Sequence, residues 1–264
     1  MLELSRIQKT FARGTVNEHV ALDRLSLSLE RGEFVTIIGS NGAGKSTLFN
    51  AICGVFLCDG GKITLDGRDI TFEPEHRRAR RIGRVFQDPM KGTAPGMTIE
   101  ENMALAYTRA HSGPFSMALN RKNHELFRDA LARCGMGLED RMKTRMGQLS
   151  GGQRQAVTLL MCTLVTPKLL LLDEHTAALD PATAERIMAI TNEIVSENSI
   201  TTMMITHNIR SALTTGTRTI MMDSGKIILD LKGEERERMT VERLMKMYSE
   251  KKKEEMDNDR MLFG

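Results

Sequence analysis

The sequence predicts an α/β fold, on three observations. Short apolar runs of the kind that suit buried strands recur at Phe34–Ile38, Lys168–Leu172, Thr201–Ile205 and Thr219–Met222. Helical text from Ala182 to Ser196 stands between the second and third runs, and such alternation suggests a parallel sheet with crossover helices. A glycine-rich segment follows the first run directly and leads into helical text, Thr47-Leu48-Phe49-Asn50-Ala51-Ile52. With 264 residues the chain has room for one large domain, or for one domain with a subdomain.

Taken in order, the first 35 residues read as strand. Leu2-Glu3-Leu4 alternates, and Leu25-Ser26-Leu27-Ser28-Leu29 alternates for longer, as a half-buried strand does. Arg31-Gly32-Glu33 turns the chain into the β-branched run Phe34–Ile38. Asp66-Gly67 forms a two-residue hairpin turn between Lys62–Leu65 and Arg68–Ile70. From about Ile99 to Leu160 the text is rich in Ala, Leu, Met, Arg and Glu, with amphipathic Glu125–Leu131 inside it. This predicts a helical insert, bounded by the Pro- and Gly-bearing segment Asp88–Gly96. The tail from Glu234 is charge-dense, including Lys251-Lys252-Lys253-Glu254-Glu255, and reads as a solvated terminal helix that frays.

Composition narrows the setting. The chain is 41% hydrophobic, has no Trp and 19 Met, and carries a net charge of +3. The core must therefore lean on Leu, Ile, Val and Met, and any polyanion site must be local. Cys53, Cys58, Cys134 and Cys162 form no C-x-x-C pair and read as small buried hydrophobes in a reducing compartment. Nothing approaches the roughly 18 apolar residues of a membrane span. Leu159–Leu172 comes nearest and is broken by Thr163, Thr166, Pro167 and Lys168. A cytosolic protein is expected, with any membrane contact made through a partner.

Three strings carry chemistry. Gly39-Ser40-Asn41-Gly42-Ala43-Gly44-Lys45-Ser46 matches G-x-x-x-x-G-K-[ST], with strand before it and helix after it. Glycines let the backbone wrap a phosphate, so that N–H groups and the helix N-terminus face the anion. Lys45 then reaches the β- and γ-phosphates, and Ser46 offers a hydroxyl to Mg²⁺. Leu169–Leu172 delivers Asp173 and Glu174 to the sheet's C-terminal edge, where open α/β folds bind ligands. One carboxylate suffices for Mg²⁺, which leaves Glu174 to polarise an attacking water. Leu149-Ser150-Gly151-Gly152-Gln153 opens a third element: Ser150 caps a helix whose bare N–H groups make a second anion site.

An L-S-G-G-Q string between a phosphate loop and an aspartate–glutamate strand resembles the nucleotide-binding subunits of ABC transporters, over roughly residues 2 to 230. The resemblance implies a P-loop NTPase core with a mixed sheet, an antiparallel β subdomain and an inserted α-helical subdomain. It places the core and β subdomain at 1–87 and 161–232, the helical subdomain at 88–160 and a C-terminal helical tail at 233–264, all in one ATPase domain spanning 1–264. It implies ATP and Mg²⁺ as ligands, with Ser40, Asn41, Gly42, Ala43, Gly44, Lys45, Ser46 and Thr47 on the nucleotide and Phe11 stacked on adenine. Glu174, His207 and Gln87 become the catalytic set, with Gln87 also joining Ser46 and Asp173 at the metal and linking to a transmembrane partner. Ser150, Gly151, Gly152 and Gln153 would face the ATP of a second copy, and Asp180 would lie at the dimer seam. Three positions depart from the family's habit: Ser40 replaces proline, His175 follows Glu174 where proline or alanine is commoner, and Ala177 replaces serine.

The same resemblance implies a head-to-tail homodimer at the cytoplasmic face of a membrane, working with a separate permease. The basic run His76-Arg77-Arg78-Ala79-Arg80-Arg81 lacks interleaved aromatics and reads as a solvated helix leading into the Gln87 strand, with no nucleic-acid partner. A soluble ATPase acting on DNA or ribosomes is the rival class. Against it stand a single P-loop and no sustained heptads in the roughly hundred residues between P-loop and signature. An exporter subunit is the other alternative. The strings Asn41-Gly42-Ala43, Glu174–Asp180 and Asp259–Leu262 resemble bacterial importers of branched-chain and aromatic amino acids, which pair with a permease and a substrate-binding lipoprotein.

Overall fold

The computed structural model describes residues 1–110 and 118–263, with side chains described for 1–109 and 118–252. The chain begins with β1 (Leu2–Phe11), β2 (His19–Leu29) and β3 (Phe34–Gly39), followed by helix α1 (Lys45–Cys53). Next come β4 (Gly60–Leu65), β5 (Arg68–Asp69), the short helix α2 (Glu75–Arg78) and β6 (Ile82–Val85). Helices α3 (Ile99–Ala110), α4 (Arg121–Ala132) and α5 (Gly151–Thr163) occupy the middle. β7 (Leu169–Asp173), α6 (Pro181–Glu197), β8 (Thr201–Ile205), α7 (Ile209–Thr214), β9 (Arg218–Asp223), β10 (Lys226–Lys232), α8 (Gly233–Glu237) and α9 (Val241–Phe263) complete it. The tail is helical, and the side chains of Asp259–Leu262 lie outside the described ones.

Two sheets form. One has six strands in the order β10-β9-β3-β8-β7-β6; all neighbours pair in parallel except the antiparallel edge strand β10. The other is antiparallel, in the order β2-β1-β4-β5. The mixed sheet, the antiparallel sheet and the intervening helices agree with the α/β class read from the sequence. Asp66 (φ 52) and Gly67 (φ 76) both sit in the left-handed region and close the β4–β5 hairpin, as a type I′ turn requires.

β7 explains why its sequence shows no alternation. Leu169 and Leu171 pack on one face with Leu48, Phe49 and Ile52 of α1, whereas Leu170 and Leu172 pack on the other with the helical segment. Both faces are buried, so every position is apolar until Asp173. A third cluster, built around Ile38, Met221, Leu231 and Leu244, seats α7 and the start of α9.

The basic run is not wholly solvated. Arg78 is 1% exposed, and its guanidinium donates to Ala51 O and Ile52 O at the end of α1 and to Thr71 O and Glu73 O. It adds a charged donor to the carbonyls at the end of α1, where Ala51 O also accepts from Gly54 N–H. A charge run reads as surface because sequence alone does not show which cation meets a helix end.

Candidate active site

The C-terminal edges of β3, β8 and β7 lie side by side, and each ends in site residues. β3 runs into the glycine-rich loop and α1, β7 ends at Asp173-Glu174, and β8 leads through Thr206 to His207. The loop's backbone is built from glycine: Gly42 has φ 82 and a Cβ there would stand in open space on the pocket wall, while at Gly44 (φ 95) a Cβ would meet Ala21 O at 2.4 Å. A cavity of about 230 Å³ opens here, lined by Asn41 to Thr47 together with Phe11, His19, Ala21, Glu174 and His207.

Lys45 Nζ donates to Gly39 O at 2.7 Å and Ser40 O at 2.8 Å. Burial lowers the Lys45 ammonium pKa, opposed by the charges of Glu174 and Asp173. The loop thus holds a partly desolvated cation whose charge an anionic ligand would favour. Glu174 adopts φ 49, a left-handed conformation that costs a non-glycine residue about 1–2 kcal/mol. That turn takes the chain off β7, and His207 Nε2 meets Glu174 Oε1 at 2.7 Å. Phe11 is 40% exposed and packs edge-on against Phe56, leaving a ring surface on the cavity wall.

Not every residue named from the sequence gathers here. Ser40 turns its hydroxyl to Asp223 Oδ1 at 3.1 Å and does not line the cavity. Gln87 is exposed and also absent from the lining. Asp173 lies behind the cavity, paired with Arg84 at 2.7 Å. Ser46, Gln87 and Asp173 nevertheless supply only oxygen donors, the set that suits Mg²⁺. His19, the cross-strand neighbour of Phe11, does line the cavity and was not foreseen, because the β1–β2 register contains bulges that sequence does not show.

The L-S-G-G-Q segment stands apart from this cavity within one chain. Ser150 caps α5 in a reciprocal box: Gln153 N–H donates to Ser150 Oγ, and Ser150 N–H donates to Gln153 Oε1. Glycine at 152 makes room for a contact that the motif does not state. A Cβ there would come within 2.2 Å of Thr183 Cγ2, in the first turn of α6. Asp180 caps α6 by accepting from Thr183 N–H at 3.0 Å, so the Asp180 loop and the Ser150 turn are locked together through Thr183. His175 is fully buried, and its Nε2 lies 3.3 Å from Thr191 Oγ1. Because Thr191 Oγ1 donates its own proton to Ile187 O, His175 Nε2 must be the donor between them.

A phosphate-cradling loop, a carboxylate–imidazole pair over it and a separate glycine-started helix define a nucleotide-hydrolysing subunit. The family model described as ABC transporter matches residues 22–177. The chain belongs to this family and is an ATPase subunit of an ABC transporter. It is 42% identical to a tyrosine transport ATP-binding protein of Clostridioides difficile, over 94% of this chain and 98% of that one. It is 36% identical to a thiamine import ATP-binding protein of Salmonella paratyphi A, over 77% of this chain and 82% of that one. Among solved structures, a dimeric ATP-binding cassette bound to ADP and phosphate superposes with a TM-score of 0.77 at 28% identity, covering 88% of this chain and 98% of the other. Among the described residues, no helix is long and apolar enough to cross a membrane.

Proposed function

We propose that this subunit couples ATP hydrolysis to solute import, with an aromatic or branched-chain amino acid as the cargo class. The observation that carries the reading is the cavity that places Lys45, Ser46, Glu174 and His207 on one wall system at the C-terminal sheet edge. The cargo class is supported by the likeness to the tyrosine transport protein along 94% of the chain.

In this reading the loop N–H groups from Asn41 to Thr47 and the Lys45 ammonium hold the phosphates, and Phe11 stacks on the base. Ser46, Asp173 and Gln87 hold Mg²⁺, which when bound neutralises phosphate charge. Glu174 orients a water and accepts its proton as water attacks the γ-phosphorus and the bond to ADP breaks. His207 stands against the Glu174 carboxylate and so limits its direction. Two copies pack head to tail, so that Ser150, Gly151, Gly152 and Gln153 of one face the γ-phosphate held by the other, with Asp180 at the seam. This arrangement accounts for two anion-binding elements that one chain keeps apart.

The partners in this reading are a membrane permease and an extracytoplasmic substrate-binding protein, with the ATPase pair at the cytoplasmic face. A groove of about 440 Å³ between β6 and the helical segment, lined by Phe86, Thr93, Asn102 and Arg109, adjoins Gln87 and offers a seat for the permease. Uptake of radiolabelled tyrosine and leucine by cells lacking this gene tests the cargo class. The reading predicts loss of uptake of one of them, restored by the wild-type gene but not by Glu174→Gln; undiminished uptake of both would refute it.

A further inference from the structure

We propose that Arg84 is an internal cation that competes with Mg²⁺ for Asp173 and thereby sets how strongly nucleotide binding depends on the metal. The inference rests on the reading of Asp173 as a metal ligand. Arg84 Nη2 donates to Asp173 Oδ2 at 2.7 Å, and Nη1 donates to Asn50 Oδ1 at 2.7 Å. Asn50 stands one helical turn beyond Ser46 on α1, so one guanidinium bridges the two elements that carry Ser46 and Asp173. Its position is fixed from another side as well: the guanidinium lies 4.7 Å from the centre of the Phe86 ring.

The pair is shielded from water, with side chains 11% and 12% exposed. A charge contact in that setting is screened weakly. The guanidinium cancels much of the negative charge with which Asp173 would attract a divalent ion, and it adds repulsion toward that ion. Toward the polyphosphate it acts in the opposite sense, as a cation already in place. Arg84 itself does not line the phosphate cavity. It therefore acts through Asp173, as a positioning and charge-setting residue.

Binding of a fluorescent, non-hydrolysable ATP analogue to the full chain, with Mg²⁺ and with EDTA, gives the test. The ratio of the two affinities measures the dependence on metal. In Arg84→Met the ratio rises about tenfold or more, through stronger binding with Mg²⁺, weaker binding in EDTA, or both. Arg84→Gln, which keeps a polar group against Asp173 and Asn50 but no charge, gives the same rise and serves where the Met variant does not fold. Arg84→Lys stays near wild type. A ratio that is unchanged or lower in the neutral variants overturns the proposal: unchanged marks a purely structural arginine, and lower marks a clamp that helps the metal. Asp173→Asn separates the underlying reading, since a ratio it leaves unchanged refutes the ligand assignment itself.

Discussion

His207 Nε2 lies 2.7 Å from Glu174 Oε1, joining the ends of β8 and β7 across the cavity. At that distance the ring nitrogen and the carboxylate oxygen are in direct ion-pair contact. Glu174 is the more enclosed partner, 12% exposed against 48% for His207. A strained backbone therefore presents a shielded carboxylate, and the imidazole steadies it from the solvent side.

From this geometry, Glu174→Gln keeps the shape and the acceptor for His207 but removes the base. Turnover falls by about 10²-fold or more, while ATP binding persists. The ATP-bound variant elutes as a dimer in size-exclusion chromatography. Hydrolysis near the wild-type rate would remove Glu174 from its proposed role.

Gly152→Ala places a methyl group where Thr183 Cγ2 stands, 2.2 Å away. Overpacking of this kind costs about 1–3 kcal/mol. Thr183→Ser deletes the offending methyl and retains the hydroxyl, so the double variant recovers most of the loss in urea unfolding. Additive costs in the two variants would show that the contact is not the reason for glycine.

His175 gives the fold a pH dependence. A free imidazole titrates near 6.5, but burial lowers that of His175 to about 4. Between those values the unfolded chain binds a proton that the folded chain refuses. The contribution of a neutral His175 is therefore fully present above pH 6.5 and is lost as pH falls toward 4. In EDTA, stability measured at pH 7.5 and at pH 5 should differ by about 2 kcal/mol more in wild type than in His175→Gln. Equal pH slopes would show that His175 does not titrate as a buried group.

Much of the site was legible because its chemistry is local. The Phe34–Ile38 run, the glycine loop and α1 are contiguous, and so are Leu169–Leu172 and the two acids that follow. Contacts between distant segments were not legible. Arg84 reads as one charge in a short strand until β6 pairs with β7 and brings it to Asp173. Arg78 reads as one basic residue among several until α2 docks on the end of α1. β10 was missed because Ile227-Ile228-Leu229 breaks the alternation, and the strand itself shows a register shift between Ile227 and Leu229. The burial of His175 was not legible, because nothing in the sequence places Thr191 beside it.

In the proposed head-to-tail pair each working site takes Lys45 from one chain and Ser150 from the other, so two defective variants can complement one another. Lys45→Ala loses its grip on phosphate, and Ser150→Arg fills the gap at the start of α5 while leaving its own phosphate loop intact. Each alone should be inactive, and Ser150→Arg should still bind ATP about as well as wild type. In a head-to-tail mixed dimer both defects fall on one site, which leaves the other with an intact Lys45 facing an intact Ser150. The ATPase rate of the mixture, followed across mixing ratios, should rise above either variant and peak near equal amounts. No recovery at any ratio, with mixed dimers shown to form and a single intact site shown to turn over, would contradict the composite site.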